Sequence, residues 1–119
     1  MASILRVNTI TDASSNNSTA TSTVFNGTAK AWAFALDNAI SDNFNVSGST
    51  DNGTGNYTFA LSASMANTTF AFTGTTNEDS NVNVFNSART TGSYTFQIKF
   101  TDGNNFDKNT GTVVHGDLA

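Results

Sequence analysis

The sequence predicts an all-β protein, a β-sandwich or jelly-roll-like domain of about seven or eight short antiparallel strands. Asn, Thr, Ser and Gly make up 59 of the 119 residues, a composition that disfavours helix. Large apolar residues recur at every second position in short runs, which is the period of a β-strand. Asn-Gly and Asp-Gly turn signals separate these runs in a chain that has no proline.

The first strand run contains Trp32, Phe34 and Leu36 on one face, with Lys30 at its edge, and alanines on the other. Such a strand is expected to be covered on both faces, or to pack one face against another subunit. Residues 36–40 are expected to form one helical turn at most. The later strand runs are marked by Phe44 and Val46; Tyr57, Phe59, Leu61 and Ala63; Phe70 and Phe72; Val82 and Val84; Tyr94, Phe96, Ile98 and Phe100; and Val113 and Val114.

The length fits a single β-domain with an N-terminal attachment arm. Residues 11–23 contain no large apolar side chain, so they are predicted to be an extended polar arm. Residues 1–23 are therefore assigned to attachment and residues 24–119 to the β-domain. Ahead of the arm lie four apolar residues that are predicted to pair with a neighbouring chain or with another protein: Ile4, Leu5, Val7 and Ile10.

The composition of the core predicts association into a homo-oligomer. About 37% of the chain is apolar, and alanine supplies a good part of that, so burial per residue in a monomer is modest. Three-fold homo-oligomers are a common closed solution for β-domains of this kind, but composition does not fix the number of subunits.

Charge and composition argue against several classes of partner. The net charge is −4 and the five cations are spread along the chain, so no basic stripe is available for nucleic acid. No stretch of about 20 apolar residues is present for membrane insertion. The opening residues lack the pattern of a secretion signal, which predicts synthesis in the cytoplasm without a signal peptide. Cysteine is absent, which removes disulfide and thiolate chemistry.

The reactive side chains are scattered, so we expect no catalytic, cofactor or metal site. His115 is the only histidine, and a structural or surface role is favoured over catalysis. The runs at residues 51–56 and 102–108 resemble oxygen-rich calcium loops, but turn chemistry fits them better because they lack a calcium-loop ligand pattern. Glu78 and Asp79 are adjacent, whereas glycoside cleavage needs opposed carboxylates.

Two aromatic residues are candidates for stacking on a ligand. Trp32 is either a sugar-stacking ring or a core residue, and its place in an alternating stripe favours the core. Phe106 is predicted to lie on a loop, and it is the clearest candidate for surface binding.

Particular stretches of the chain resemble small tail-fibre-type proteins of tailed bacteriophages, especially those of marine and aquatic hosts. The first half carries the resemblance, and the closing residues 116–119 add to it; the second half resembles the family as a strand pattern. The stretches in the first half are residues 4–18, 27–32, 42–47 and 50–58.

This resemblance implies a virion location and a β-rich domain that forms trimers behind a short attachment segment. The expected function is that of a non-enzymatic tail-fibre subunit whose β-domain binds a host-surface glycan or protein through loops such as 48–56, 75–81 or 102–109. The alternative is a trimeric decoration protein that stabilises the capsid. A glycan-degrading fibre is a third and more distant reading.

Overall fold

The computed structural model, which describes residues 3–4, 6–15, 17–77 and 82–119, is built mainly from antiparallel strands. The all-β prediction is therefore confirmed. The elements in chain order are β1 (Thr9–Thr11), β2 (Ser18–Ala20), α1 (Thr21–Gly27), β3 (Ala31–Leu36), β4 (Ala39–Phe44), β5 (Val46–Gly53), β6 (Asn56–Leu61), β7 (Ala71–Thr76), β8 (Val82–Thr90), β9 (Ser93–Phe100) and β10 (Thr110–His115).

Eight of these strands form two four-stranded sheets. Sheet 1 has the order β4-β3-β10-β7, and sheet 2 has the order β5-β6-β9-β8, while β1 and β2 pair as a separate hairpin. In each large sheet, the two central strands are far apart in sequence. These pairings do not by themselves make a jelly roll, and that finer label stays a prediction.

The core lies between the two large sheets and joins small side chains to large ones. Sheet 1 supplies Ala31, Ala33 and Ala35 from β3, all at most 2% exposed. Opposite them, β6 and β9 of sheet 2 contribute buried aromatic rings, including Phe59 and Phe96, whose centroids lie 5.0 Å apart at 87°. The small alanines leave room for these rings, which lets the two layers pack closely.

A polar contact also crosses the core. The hydroxyl of Tyr94 in sheet 2 is 2.9 Å from the hydroxyl of Thr112 in sheet 1, and both residues are buried. Burial raises the pKa of Tyr94 to about 12, so the phenol stays neutral and able to donate. The pair fixes one register between the layers, since a buried hydroxyl without a partner is costly.

Three of the four edge strands carry β-bulges. The register places one extra residue on β4 at Ser41, two on β5 at Ser47 and Asn52, and one on β8 at Ser87. At Ser47 and Ser87 the side-chain hydroxyl donates to a carbonyl of the partner strand, at 3.3 Å in both cases. The bulges therefore bend the edge strands, and at these two positions a carbonyl of the partner strand accepts a hydrogen bond from the serine of the bulge.

Asn45 makes the corner at which the chain passes from sheet 1 to sheet 2. Its φ is 57°, a conformation that asparagine tolerates better than most residues. Its side-chain amide donates to the carbonyls of Lys30 at 2.9 Å and Ala63 at 3.1 Å, and its Oδ1 accepts from the Ala63 amide at 2.6 Å. One side chain thus ties together three chain segments.

The N-terminal region differs from the extended arm predicted for it. β1 and β2 pair as a hairpin, and α1 follows β2 directly, although no helix is expected there from the sequence. The helix has no buried residue; its start is held because the Thr21 amide donates to the Asn8 carbonyl at 2.9 Å. No helical turn forms at residues 36–40, where one at most is expected, because Asp37 has a φ of 53° and makes the turn between β3 and β4.

Replacing Asn45 with alanine should lower the free energy of unfolding by about 2–4 kcal/mol, because three hydrogen bonds are lost and alanine is strained at positive φ. Asn45→Gly loses the same bonds without the strain, so it should be more stable than Asn45→Ala by about 1 kcal/mol. Urea unfolding measures both. Wild-type midpoints for the two variants would contradict the role given to this corner.

Candidate functional site

The outer surface of sheet 1 exposes the large apolar residues of β3. Trp32, Phe34 and Leu36 are 37%, 41% and 49% exposed, whereas the alanines between them face the core. Phe44 pairs with Trp32 on the neighbouring strand and is 53% exposed. We call the surface formed by Trp32, Phe34, Leu36 and Phe44 the aromatic face.

This finding corrects the prediction that Trp32 is a core residue. The alternating residues do form a strand, but the larger side chains lie on the outer face of sheet 1 and the alanines face the interior. The interior at this point is already filled by the rings of sheet 2, and alanine is the residue that fits against them. The other expectation, that one face of this strand packs against another subunit, stays a prediction.

A groove runs across the aromatic face where β10 passes between β3 and β7. Gly111 forms its floor, because its register partners Phe34 and Thr75 both point outward beside it. The groove has a volume of about 320 Å³, and its walls include Trp32 and Val113. A Cβ atom added at Gly111 would lie 3.5 Å from the Thr75 hydroxyl and 4.0 Å from the Phe34 ring, which is ordinary contact, so the groove exists because this position is glycine.

A second exposed apolar surface lies on the N-terminal unit, which we define as residues 6–15 and 17–27. Val7, Ile10 and Phe25 are 42%, 53% and 68% exposed, and they line a concavity of about 470 Å³. Ile4, ahead of the unit, is 77% exposed. Leu5, the fourth residue predicted for assembly, lies outside the described residues. The exposure of the other three agrees with a role in binding another chain but does not test it.

Two of the loops predicted for surface binding meet at one end of the domain. Asp107 accepts hydrogen bonds at 2.7 Å from the Gly55 amide and from the Tyr57 hydroxyl. Gly55 has a φ of 58°, and a Cβ there would lie only 2.5 Å from the Phe106 carbonyl oxygen. The turn between β5 and β6 is thus locked against the 102–109 loop.

Phe106 is half-buried on this end of the molecule. Its ring stacks on Phe100 with centroids 3.8 Å apart and an angle of 10°, and the Lys108 ammonium lies 5.8 Å from its centroid. Phe100 is 39% exposed. The exposed aromatic surface is therefore shared by two stacked rings, and a binding role for Phe106 stays a prediction.

Hydrogen bonding shifts the ionisation of the groups at this end. The Gly55 amide, followed by the Tyr57 hydroxyl, holds the pKa of the Asp107 carboxyl below its ordinary value of 3.8. Burial and the nearby carboxylates, Asp107 first, raise the pKa of Tyr57. Asp107 is therefore ionised and Tyr57 neutral at physiological pH, an arrangement that fastens the loop.

The remaining predicted positions stay apart. His115 is exposed at the end of β10. Within the described residues, no three His, Cys, Asp or Glu side chains come close enough to hold a metal ion. Glu78 and Asp79, like most of the 75–81 loop, lie outside the described residues. In the part of the chain that the structure describes, no helix is long and apolar enough to cross a membrane.

Sequence reasoning did not single out Phe25 or Gly111. Phe25 stands beside Val24 in a polar context, which is a weak local signal of exposed apolar surface. Gly111 carried no such signal, because the groove depends on strands that are distant in sequence.

Comparison with known proteins adds no family: the chain matches no protein-family model, and neither a curated protein nor a solved structure is significantly similar to it.

The two faces of β3 should respond oppositely to substitution. Ala33→Leu adds volume to the packed core and should lower the free energy of unfolding by about 1–3 kcal/mol. Phe34→Thr changes an exposed position on a strand and should alter it by less than about 1 kcal/mol. Urea unfolding of dilute protein measures both, and the reverse ranking would show that the aromatic side is the interior.

Stability should fall in acid partly through Asp107. Because its pKa is lower in the folded state, its ionised form stabilises the fold above the ordinary pKa, and that contribution is lost as pH falls through the folded-state value. Asp107→Asn should therefore lower the urea unfolding midpoint at pH 7. It should also make the midpoints measured at pH 7 and at about pH 2 differ less than they do in the wild type. Asp117→Asn, at an exposed carboxylate that follows β10, is the control; equal narrowing in both variants would refute the assignment.

Proposed function

We propose that this protein is a non-enzymatic structural subunit of a bacteriophage virion, a tail-fibre subunit that assembles as a homotrimer. It attaches through its N-terminal segment and presents loops of the β-domain to the host surface. The observation that carries the proposal is the placement of these two parts at opposite ends of β3.

One end of β3 adjoins the N-terminal unit. Lys30 precedes the strand, and its ammonium donates to the carbonyl of Thr28 at 3.2 Å and to the Thr28 hydroxyl at 3.1 Å. Thr28 directly follows α1, and its amide donates to the Val24 carbonyl. The N-terminal unit, with its exposed apolar side chains, is therefore joined to the domain where β3 begins.

The other end of β3 adjoins the loops. Asp37 follows the strand, and its amide donates to the Asn109 side chain at 3.3 Å. Asn109 belongs to the same loop as Asp107, which is bonded to Gly55. A domain with an apolar attachment unit at one end and interlocked polar loops at the other is suited to link a particle to a surface.

The aromatic face supports the trimeric part of the proposal. An exposed apolar area of this kind on a soluble domain marks a contact with another molecule. Three-fold assembly would multiply the modest contacts that each loop makes with a repeated ligand, such as a surface glycan.

The non-enzymatic part rests on the sequence and on the resemblance to tail-fibre-type proteins. Acid–base or nucleophilic catalysis needs clustered groups with tuned ionisation. The chain has one histidine and no cysteine, so its side chains are better suited to contact than to chemistry.

Gold-labelled antibody against the protein, viewed on purified particles, tests the virion assignment. We expect label at the tail, with tens of copies per particle or fewer by quantitative mass spectrometry. Label spread over the head, with hundreds of copies per particle, would show that the protein is a capsid decoration protein and not a tail-fibre subunit. Absence of the protein from particles, with label retained on a known structural protein as the control, would overturn both.

A further inference from the structure

We propose that the N-terminal unit of one copy packs on the aromatic face of the next copy, with Phe25 inserted into the groove above Gly111. The inference rests on the homotrimer of the proposed function and names the surfaces that form it. It also identifies the partner of the N-terminal unit as a second copy of this chain.

The N-terminal unit projects from the body of the protein. The radius of gyration is 17.3 Å, and the longest axis measures 52 Å against 31 and 25 Å for the others; a compact chain of this length has a radius of gyration of about 13.5 Å. Hydrogen bonds of the unit join its own parts, as between Thr21 and Asn8. Its apolar side chains are exposed, although Phe25 also lines a concavity with Phe44 and Leu118 of its own chain.

The two surfaces have matching chemistry. The unit presents Val7, Ile10 and Phe25, and the aromatic face presents rings and Leu36. Asp42 lies opposite Phe34 at the border of the face, where Arg6, which lines the concavity of the unit, supplies a complementary charge. Apolar contact at the centre with charge at the rim is the usual composition of a protein interface.

Shape favours this pairing over the contact of two identical faces. A groove is filled by a projecting group, and two grooves placed face to face leave each other empty. Phe25 is 68% exposed on a short helix, more than any other aromatic residue named among the exposed apolar side chains of the described chain. Although Phe25 lines the concavity of the unit, most of its surface is open to a partner, so its ring can enter the space left above Gly111.

The area available is sufficient for a stable contact. From their exposed fractions, the four residues of the aromatic face offer roughly 315 Å² and the three residues of the unit roughly 285 Å², taking about 175 Å² per side chain. Since apolar atoms make up about 60% of an interface, the total would be about 1,000 Å². This reaches the roughly 1,000 Å² expected of a biological interface.

The contact is heterologous, because two different surfaces of the same chain meet. Such contacts close into a ring when the rotation between copies permits it, and otherwise extend as a filament. A ring of three uses every unit and every aromatic face once. Ile4, which precedes the unit, then stays available for attachment to the particle.

Disulfide trapping between single-cysteine variants tests the contact, and the chain offers a background without cysteine. Ser22 lies one turn before Phe25 on α1, and Thr75 lies on the groove wall. Ser22→Cys and Thr75→Cys proteins are purified separately, mixed, allowed to exchange and oxidised. We expect a disulfide-linked pair containing one chain of each variant, and little product when Ser22→Cys is mixed with the control Asn83→Cys, whose site is an exposed position on β8.

A doubly substituted Ser22→Cys/Thr75→Cys protein separates a neighbouring copy from the same chain. Linked oligomers support the proposal. A disulfide within one chain, together with no linked pair in the mixed sample, would show that the unit folds back on its own sheet and would overturn it.

Light scattering provides a second measurement that does not depend on trapping. The wild-type protein should have about three times the 12.5 kDa chain mass, and Phe25→Ser should weaken association by at least about 30-fold, the effect of losing a central aromatic contact. Gly111→Val adds volume to the groove at a position where a Cβ makes only ordinary contacts, and it should do the same with an unchanged β-sheet circular dichroism spectrum. Phe85→Ser, at a 48% exposed position on sheet 2, is the matched control and should remain trimeric.

A monomeric wild-type protein, or trimers that persist in both the Phe25→Ser and the Gly111→Val variants, would overturn the inference. These measurements use purified protein, so their failure is distinguishable from failure of the virion assignment, which is judged on particles.

Discussion

The size match between the alanines of β3 and the aromatic rings of sheet 2 is the constraint on which the structure depends. Rings such as Phe59 and Phe96 extend from sheet 2 into the space between the sheets. The opposing strand, β3, makes room for them because its inward-facing residues are alanines, whose side chain is a single methyl group. The larger residues of β3 are consequently placed on the outside of sheet 1. The exposed aromatic face is therefore a direct result of how the core is filled.

The same packing sets the ends of the molecule. Because β3 is held centrally in sheet 1 between β4 and β10, its two ends define two opposite surfaces of the domain. Asn45 and Lys30 organise the end near the N-terminal unit, and Asp107 organises the other. At each end, polar side chains bond to other segments of the chain, which holds the two ends of the domain in a fixed relation.

The sequence predicted some of these features and not others, for physical reasons. The stripes of β6 and β9 were recognisable because Tyr57 and Tyr94 begin runs in which every second residue is large and apolar. The inward-facing side of β3 was not recognisable from the sequence, since both faces of this strand are apolar. Which face lies inside depends on the side chains of the opposing sheet. The β1–β2 hairpin and α1 left no hydrophobic pattern, because their described residues are almost all exposed and backbone bonding holds them. The groove depends on the register of β10 with β3 and β7, which no local signal encodes.

The bulged edge strands have a consequence for how this protein can polymerise. An uncovered strand edge is a template on which further strands add without limit, as in amyloid. Extra residues at Ser41, Ser47 and Ser87 interrupt the hydrogen-bonding rows of β4, β5 and β8, so growth by strand addition is hindered along three of the four edges of the two large sheets. Contacts made through side chains on a sheet face are finite in number and set by shape. A chain rich in β-structure can in this way accumulate at high local concentration and still form assemblies of defined size.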